Sequence, residues 1–178
     1  PFVESALVLT RMAEQERRRR AFQAIHQAMA GSLDVRKVFD GIVEAVRPIF
    51  GFDIFGVELM NPSGRTSERI VEVGGEGQLP RVRNIDDFSV APKLLSGQPV
   101  LVHDTQSELD AKRPGDRLLL EAGIRSFVLL PLVFPLSNVE HSTGVIYLAK
   151  RQSWWFDPID VDTLRSLADP ITLAIHHH

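Results

Sequence analysis

Residues 52–60, FDIFGVELM, are apolar at nearly every position, and a strand of that kind has to be covered on both faces. A second run, IRSFVLLPLVF at 124–134, is as apolar, and TGVIYLAKR at 143–151 follows it closely. NPSGR and PLSNVEHS carry turn residues at the ends of the first two runs. Two hairpins are therefore predicted: FDIFGVELM with TSERIVEVGG (66–75), a strand of alternating character, and 124–134 with 143–151.

Helices flank these hairpins. Glu4 to Ala30 contain no Pro or Gly and are rich in Ala, Leu, Gln, Glu and Arg, which predicts one long helix ending at Gly31. Ser32 and Asp34 can both cap a second helix, whose apolar stripe is Val35, Val38, Phe39, Ile42, Val43 and Val46 and which Pro48 and Gly51 should close. Asp157 is placed to cap a last helix, Pro158 suits its first turn, and Ile159, Leu164, Leu167, Ile171 and Ile175 line one side. Between the hairpins the sequence predicts a short strand at 80–85 and a short helix in DDFSVAPKLLSG interrupted near Pro92. A polar loop and a helix near Asp116–Glu121 should follow. This order gives an α+β fold with an antiparallel sheet.

Composition narrows the function. A chain of 178 residues with 44% apolar content suits one domain with one core. The net charge is −3, and the only basic run, ERRRRAFQ, is too short for a nucleic-acid surface and reads as a solvated helix face. No apolar stretch approaches the ~20 residues that cross a bilayer, and no export signal opens the chain, so a soluble, cytoplasmic protein without membrane contact is expected. The absence of cysteine excludes disulfides, thiolate metal sites, thiol nucleophiles and thioether-linked cofactors. The opening at Pro1 and the closing His176 to His178 read as a segment of a longer protein carrying the remnant of a purification tag.

Three pieces in order, SLDVRKVFDGIVEAVRPIFGFDIFGVELMN, LLSGQPVLVHD and GIRSFVLLPLVF followed by TGVIYLAKRQSWWFDPIDVDTLRSLADPITLAI, resemble a GAF domain, the small-molecule sensor module of signalling proteins. The resemblance covers residues 20–175, leaving 1–20 as an N-terminal linker or signalling helix and 176–178 as tag. It implies a GAF/PAS-like central antiparallel sheet of five to six strands. The first, second and last helices would lie on one face and form a homodimer contact through Phe22, Ile25, Met29, Leu164 and Ile171; short helices and loops would roof a pocket on the other face. It also implies an output domain in the same parent chain. Two features depart from the family pattern: the loop FPLSNVEHS is long, and Asp169-Pro170 should kink or break the last helix.

In GQPVLVHDT, His103 and Asp104 pose a choice between a catalytic dyad, a metal or haem ligand, a pocket wall and a plain strand end whose aspartate caps the turn DTQS. Catalysis is disfavoured, because adjacent strand residues point to opposite faces and no nucleophile motif supplies a third partner. Metal is disfavoured too: His26 and His141, the other histidines outside the tag, lie in distant segments with no ligand spacing. Pocket wall and strand end remain open. Other pocket candidates are Arg81 and Arg83, which could hold an anion, with Asp86, Asp87 and Ser89 beside them. Ser126, Tyr147 and Glu58 are polar groups in apolar strands. Trp154 and Trp155 read as packing residues.

Methionine sulfoxide reduction and thioether attachment of linear tetrapyrroles need a cysteine, and NIDDF lacks the lysine and the order of the family's cyclic-nucleotide signature. The expectation is a non-catalytic sensory domain with a small-molecule ligand, no metal and no identifiable cofactor. It would control a histidine kinase, transcription activator or cyclic-dinucleotide enzyme. The alternative is a ligand-free domain serving only dimerisation. A cavity holding polar groups without a protein partner favours the first; a cavity closed by Phe88, Phe127 and Phe134 favours the second.

Overall fold

β1 (Ile54–Asn61) is buried at every position from Ile54 to Glu58, as its unbroken apolar run requires. The computed structural model describes residues 2–31, 35–61, 65–133 and 143–176, with helical side chains described for 5–20, 39–50, 158–169 and the short helices between the hairpins. β1 pairs antiparallel with β2 (Thr66–Val73) on one side and with β6 (Thr143–Lys150) on the other. β3 (Val82–Asn84), β4 (Val100–Val102) and β5 (Ser126–Val133) complete an antiparallel six-stranded sheet of order β3-β2-β1-β6-β5-β4. Both expected hairpins and the expected α+β class are present.

One irregularity redirects a strand. Opposite residues in β1 and β2 run Val57 with Val71 and then Glu58 with Arg69, so Ile70 is an extra residue, a β-bulge. Facing residues in an antiparallel pair point to the same side of the sheet. The bulge therefore puts Arg69 and Glu72, three apart, on one face, where strict alternation would separate them.

The chain divides into two compact units, Phe52–Ala168 and a second made of Pro1–Gly51 with Asp169–His178. In the second, α1 (Phe2–Gly31) packs along α2 (Val35–Phe50). Leu7, Val8, Leu9 and Met12 of α1 are exposed, and Arg19 and Arg20 pair with Glu16 on an exposed face of the helix. Phe39, Ile42, Val43 and Val46 of α2 are buried as the stripe predicts. Pro48 does not close α2, which continues to Phe50. A helical proline loses the bond to the carbonyl four residues back and its ring crowds that carbonyl, but its fixed φ is itself helical, so the last turn can run on past it. At Asp169-Pro170, of the expected kink or break, the break does not occur: α6 (Pro158–His176) runs as one helix. Ser32 and Asp34, and the long loop at 134–142, lie outside the described residues.

In the larger unit, one sheet face is covered by a 3₁₀ turn (Ile85–Asp87), α3 (Ala91–Leu95), α4 (Thr105–Glu108) and α5 (Pro114–Glu121). Ile85, Ala91, Leu94 and Leu119 from these segments share a core with Ile54, Met60, Phe127, Val145 and Tyr147 of the sheet. Pro92 starts α3 instead of interrupting it, since a first-turn N–H has no helical partner to lose. The polar stretch after β4, expected as loop, closes one turn of helix as α4 because Asp104 caps it. Asp157 caps α6 as expected, in a reciprocal pair with Asp160: each backbone N–H donates to the other's carboxylate, at 2.9 and 3.1 Å.

Asp116 ties these covering segments together. Fully buried, it accepts from the Ser89 N–H (2.9 Å), the Ser89 hydroxyl (2.5 Å) and the Asp110 N–H (2.9 Å). Replacing it by alanine leaves three part-buried hydrogen bonds without their acceptor, so Asp116→Ala should lower unfolding free energy by about 1–3 kcal/mol in urea denaturation. A loss below about 1 kcal/mol would show that water replaces the clasp.

Candidate functional site

Between the sheet and its cover lies a cavity of about 70 Å³. Most of its wall is apolar, from Ile54, Met60, Leu79, Ile85, Phe88, Leu94, Phe127 and Leu129 among others. Its polar lining comes from Glu58, Ser67, Arg83 and Tyr147.

The sheet register brings these groups together. Ser67 stands opposite both Met60 and Arg83, Glu58 opposite Arg69, and Gly56 opposite both Glu72 and Tyr147. A Cβ at Gly56 would overlap the Tyr147 ring at Cζ and Oη, so glycine there is what lets the ring lie across β1. The Tyr147 hydroxyl then donates to Glu72 at 2.6 Å, and Arg69 reaches both Glu72 (3.4 Å) and the Leu79 carbonyl (3.2 Å). Arg83 donates from Nη2 to Glu58 at 2.8 Å, and its guanidinium stands 5.9 Å from the Tyr147 ring centre. The side chains of this ion pair are only 9% and 11% exposed. Arg83 Nε is buried with no hydrogen-bond partner.

Burial pushes the Glu58 carboxyl above its ordinary range; Arg83 and Arg69 oppose that shift and Glu72 adds to it. Burial, then the bond to Glu72, raise the Tyr147 phenol far above its usual value. Both shifts favour the neutral form of a group shut away from water.

Of the residues singled out in the sequence, Glu58, Arg83 and Tyr147 line the cavity. His103 and Asp104 do not. Asp104 accepts from Gln106 N–H at 3.1 Å as the cap of α4 and pairs with Arg125 at 3.2 Å, while its own N–H donates to Glu108. His103 stacks on Trp154 with ring centres 4.4 Å apart, and its carbonyl accepts from the Trp154 N–H at 2.7 Å. Trp154 itself is largely exposed, with φ at 57°, and Trp155 carries Lys150 over its ring at 4.2 Å.

The remaining candidates are engaged elsewhere. Arg81 pairs with Glu68 and Asp86 with Arg65, both in solvent. Arg65 holds the Asp86 carboxyl below its ordinary value. Ser89 is held by Asp116, Ser126 donates to the Gln152 carbonyl at 2.7 Å, and Asp87 stays outside the cavity in the 3₁₀ turn. Leu164 is fully buried within its own chain, so it offers no surface for a dimer contact. The side chains of Phe22, Ile25, Met29 and Ile171 lie outside those described.

Arg69 and Glu72 were missed by sequence reasoning. Ile70-Val71, two apolar residues in succession within SERIVEV, breaks the two-residue alternation and was the available sign of the bulge.

Residues 32–176 match the family model of the GAF domain, and the chain belongs to that family. No curated protein matches its sequence. Among solved structures, the phycocyanobilin-bound GAF domain of a cyanobacterial phytochrome is 17% identical with TM-score 0.69, covering 89% of this chain and 93% of that one. Free methionine-R-sulfoxide reductase of Neisseria meningitidis, in complex with its substrate, is 17% identical with TM-score 0.67, covering 90% and 89%. A methyl-accepting chemotaxis protein, residues 122 to 287, is 22% identical with TM-score 0.62, covering 87% and 95%. At these identities the likeness is one of fold. Among the described residues no helix is long and apolar enough to cross a membrane, and no group of His, Asp and Glu could hold a metal ion.

Tyr147 is the only tyrosine, so its titration can be read directly. The folded protein keeps the phenol proton at a pH where the unfolded chain, near its ordinary value of ~10, loses it. The unfolded state then binds fewer protons, and stability falls as pH rises above ~10. Phenolate absorbance at 295 nm should appear together with alkaline loss of circular dichroism; a phenolate signal with apparent pKa near ~10 in folded protein would contradict the burial.

Proposed function

We propose that this chain is a non-catalytic sensory GAF domain that binds a small molecule between the sheet and its short helices and controls an output domain in the same parent chain. A histidine kinase, transcription activator or cyclic-dinucleotide enzyme would suit that output. One observation carries the reading: the cavity is open and retains a buried donor, Arg83 Nε, with no partner. Phe88 and Phe127 line the space without filling it. A domain kept only for packing gains nothing from a void or an unmet donor, since each costs stability.

Several observations support the absence of catalysis. His103 and Asp104 are occupied by a ring stack and a helix cap, and the chain has no cysteine for the thiol chemistry of sulfoxide reduction. The chain also has no cysteine to attach a tetrapyrrole, and the cavity of about 70 Å³ is smaller than the ~150 Å³ known to take benzene. Homodimerisation through the helices is supported by the exposed Leu7, Val8, Leu9 and Met12 of α1, while Leu164 is withdrawn from that contact. The domain acts in the cytoplasm, and ligand control works through different affinities for two states of the parent protein.

Native mass spectrometry and thermal-shift screening of the purified chain test this reading. A bound small molecule should be found, with a dimer as the carrier, and saturating ligand should raise Tm by several degrees. Ala91→Leu, which fills the cavity wall, should abolish the shift without lowering the ligand-free Tm, while His103→Ala should retain the shift. A chain that binds nothing in either measurement would leave dimerisation as its role.

A further inference from the structure

We propose that the cavity takes a short-chain aliphatic monocarboxylate whose carboxylate seats on the Arg83 guanidinium. This rests on the sensory reading above and names the chemistry of its ligand. Nε and Nη2 of a guanidinium point the same way and form an edge that matches the two oxygens of a carboxylate. In Arg83, Nη2 donates to Glu58, and Nε, on a side chain nine-tenths buried, donates to nothing. The missing partner is an acceptor, and the cavity that Arg83 lines is where a ligand would supply it.

The balance of charge favours an anionic acceptor over a neutral one. Facing Glu58 are Arg83 from β3, Arg69 and Glu72 from β2, and Tyr147 from β6. Tyr147 keeps its proton. Burial disfavours the charged form of Glu58, and a protonated Glu58 leaves two arginines against Glu72 alone, an excess of one positive charge. One ligand carboxylate neutralises it. Protonated Glu58 can also donate its O–H to the ligand, so the two carboxyl groups share a hydrogen bond in place of repelling each other.

The body of the ligand follows from the remaining wall. Met60, Leu79, Ile85, Leu94 and Phe127 offer only apolar surface. A volume near 70 Å³ is about half of that known to hold benzene, which leaves room for about one carbon behind the carboxylate, as in acetate. So small a ligand binds at best in the micromolar range.

Isothermal titration of the full chain with sodium acetate, acetamide and ethanol tests the assignment. Acetate should bind at least tenfold tighter than either neutral analogue at pH 6. Its affinity should weaken toward tenfold per pH unit once Glu58 must be protonated on binding. Glu58→Gln should keep the binding and flatten that pH dependence. Arg83→Met should remove the preference for the acid while leaving the weak binding of the neutral analogues; should Arg83→Met not fold, Arg83→Met/Glu58→Gln removes both charges and is read the same way. Equal affinity for acid and amide, or a preference surviving the loss of Arg83, overturns the assignment. If acetate fails while native mass spectrometry finds another molecule, the ligand class falls and the sensory reading stands; if nothing binds at all, both fall.

Discussion

Glu58 and Arg83 are ionisable groups buried in a sheet, and the structure around them is arranged to make that tolerable. Taking both out of water costs several kcal/mol, recovered only if geometry and neighbouring hydrogen bonds are good. Here the bulge at Ile70 turns Arg69 and Glu72 to the same face, and Gly56 leaves room for the Tyr147 ring to shield Arg83 and bond Glu72. The pair thus depends on three strands meeting in one register. A slip of a single residue would send half of the network to the opposite face. One donor of the pair, Arg83 Nε, has no partner even so, and Arg83 lines the cavity with Glu58, Ser67 and Tyr147.

Much of the fold was legible in the sequence because its signals are local. Apolar runs mark β1, β5 and β6, and the helix formers between Glu4 and Ala30 mark α1. Prolines misled at Pro48, Pro92 and Pro170, where propensity predicts an end or a break. Position in the turn and the surrounding packing decide otherwise. The site was half legible: Glu58, Arg83 and Tyr147 stand out as polar residues among apolar ones, whereas their partners Arg69 and Glu72 depend on a bulge. His103 and Asp104 look reactive as a pair in sequence. In space their backbone ends β4 and starts α4, so the aspartate turns to cap the helix and the imidazole to a tryptophan.

The structural relatives make the same point from outside. One binds phycocyanobilin and another is a methionine-R-sulfoxide reductase, on sheets that superpose on this one. A fold shared at 17% identity fixes where a cavity lies, while the side chains facing it decide what enters. In this chain those are one buried cation, one carboxyl whose charged form burial disfavours and a narrow apolar sleeve.

The resistance to opening is unevenly distributed around that sleeve. Toward α3 and α5 the cover is bolted by Asp116, which holds Ser89 and Asp110 at once, so parting it exposes a buried carboxylate. Toward β3 the wall is Leu79, carried on GGEGQLPR between β2 and β3. Gly74, Glu76 and Gly77 of this segment have positive φ, and it is held by Gln78, which accepts from Arg151 at 2.7 Å, by the ion pair of Arg81 with Glu68, and by the Leu79 carbonyl, which accepts from Arg69 at 3.2 Å. The first two of these bonds lie in solvent, where water can replace them, whereas the bonds to Asp116 are set around a carboxylate that water does not reach.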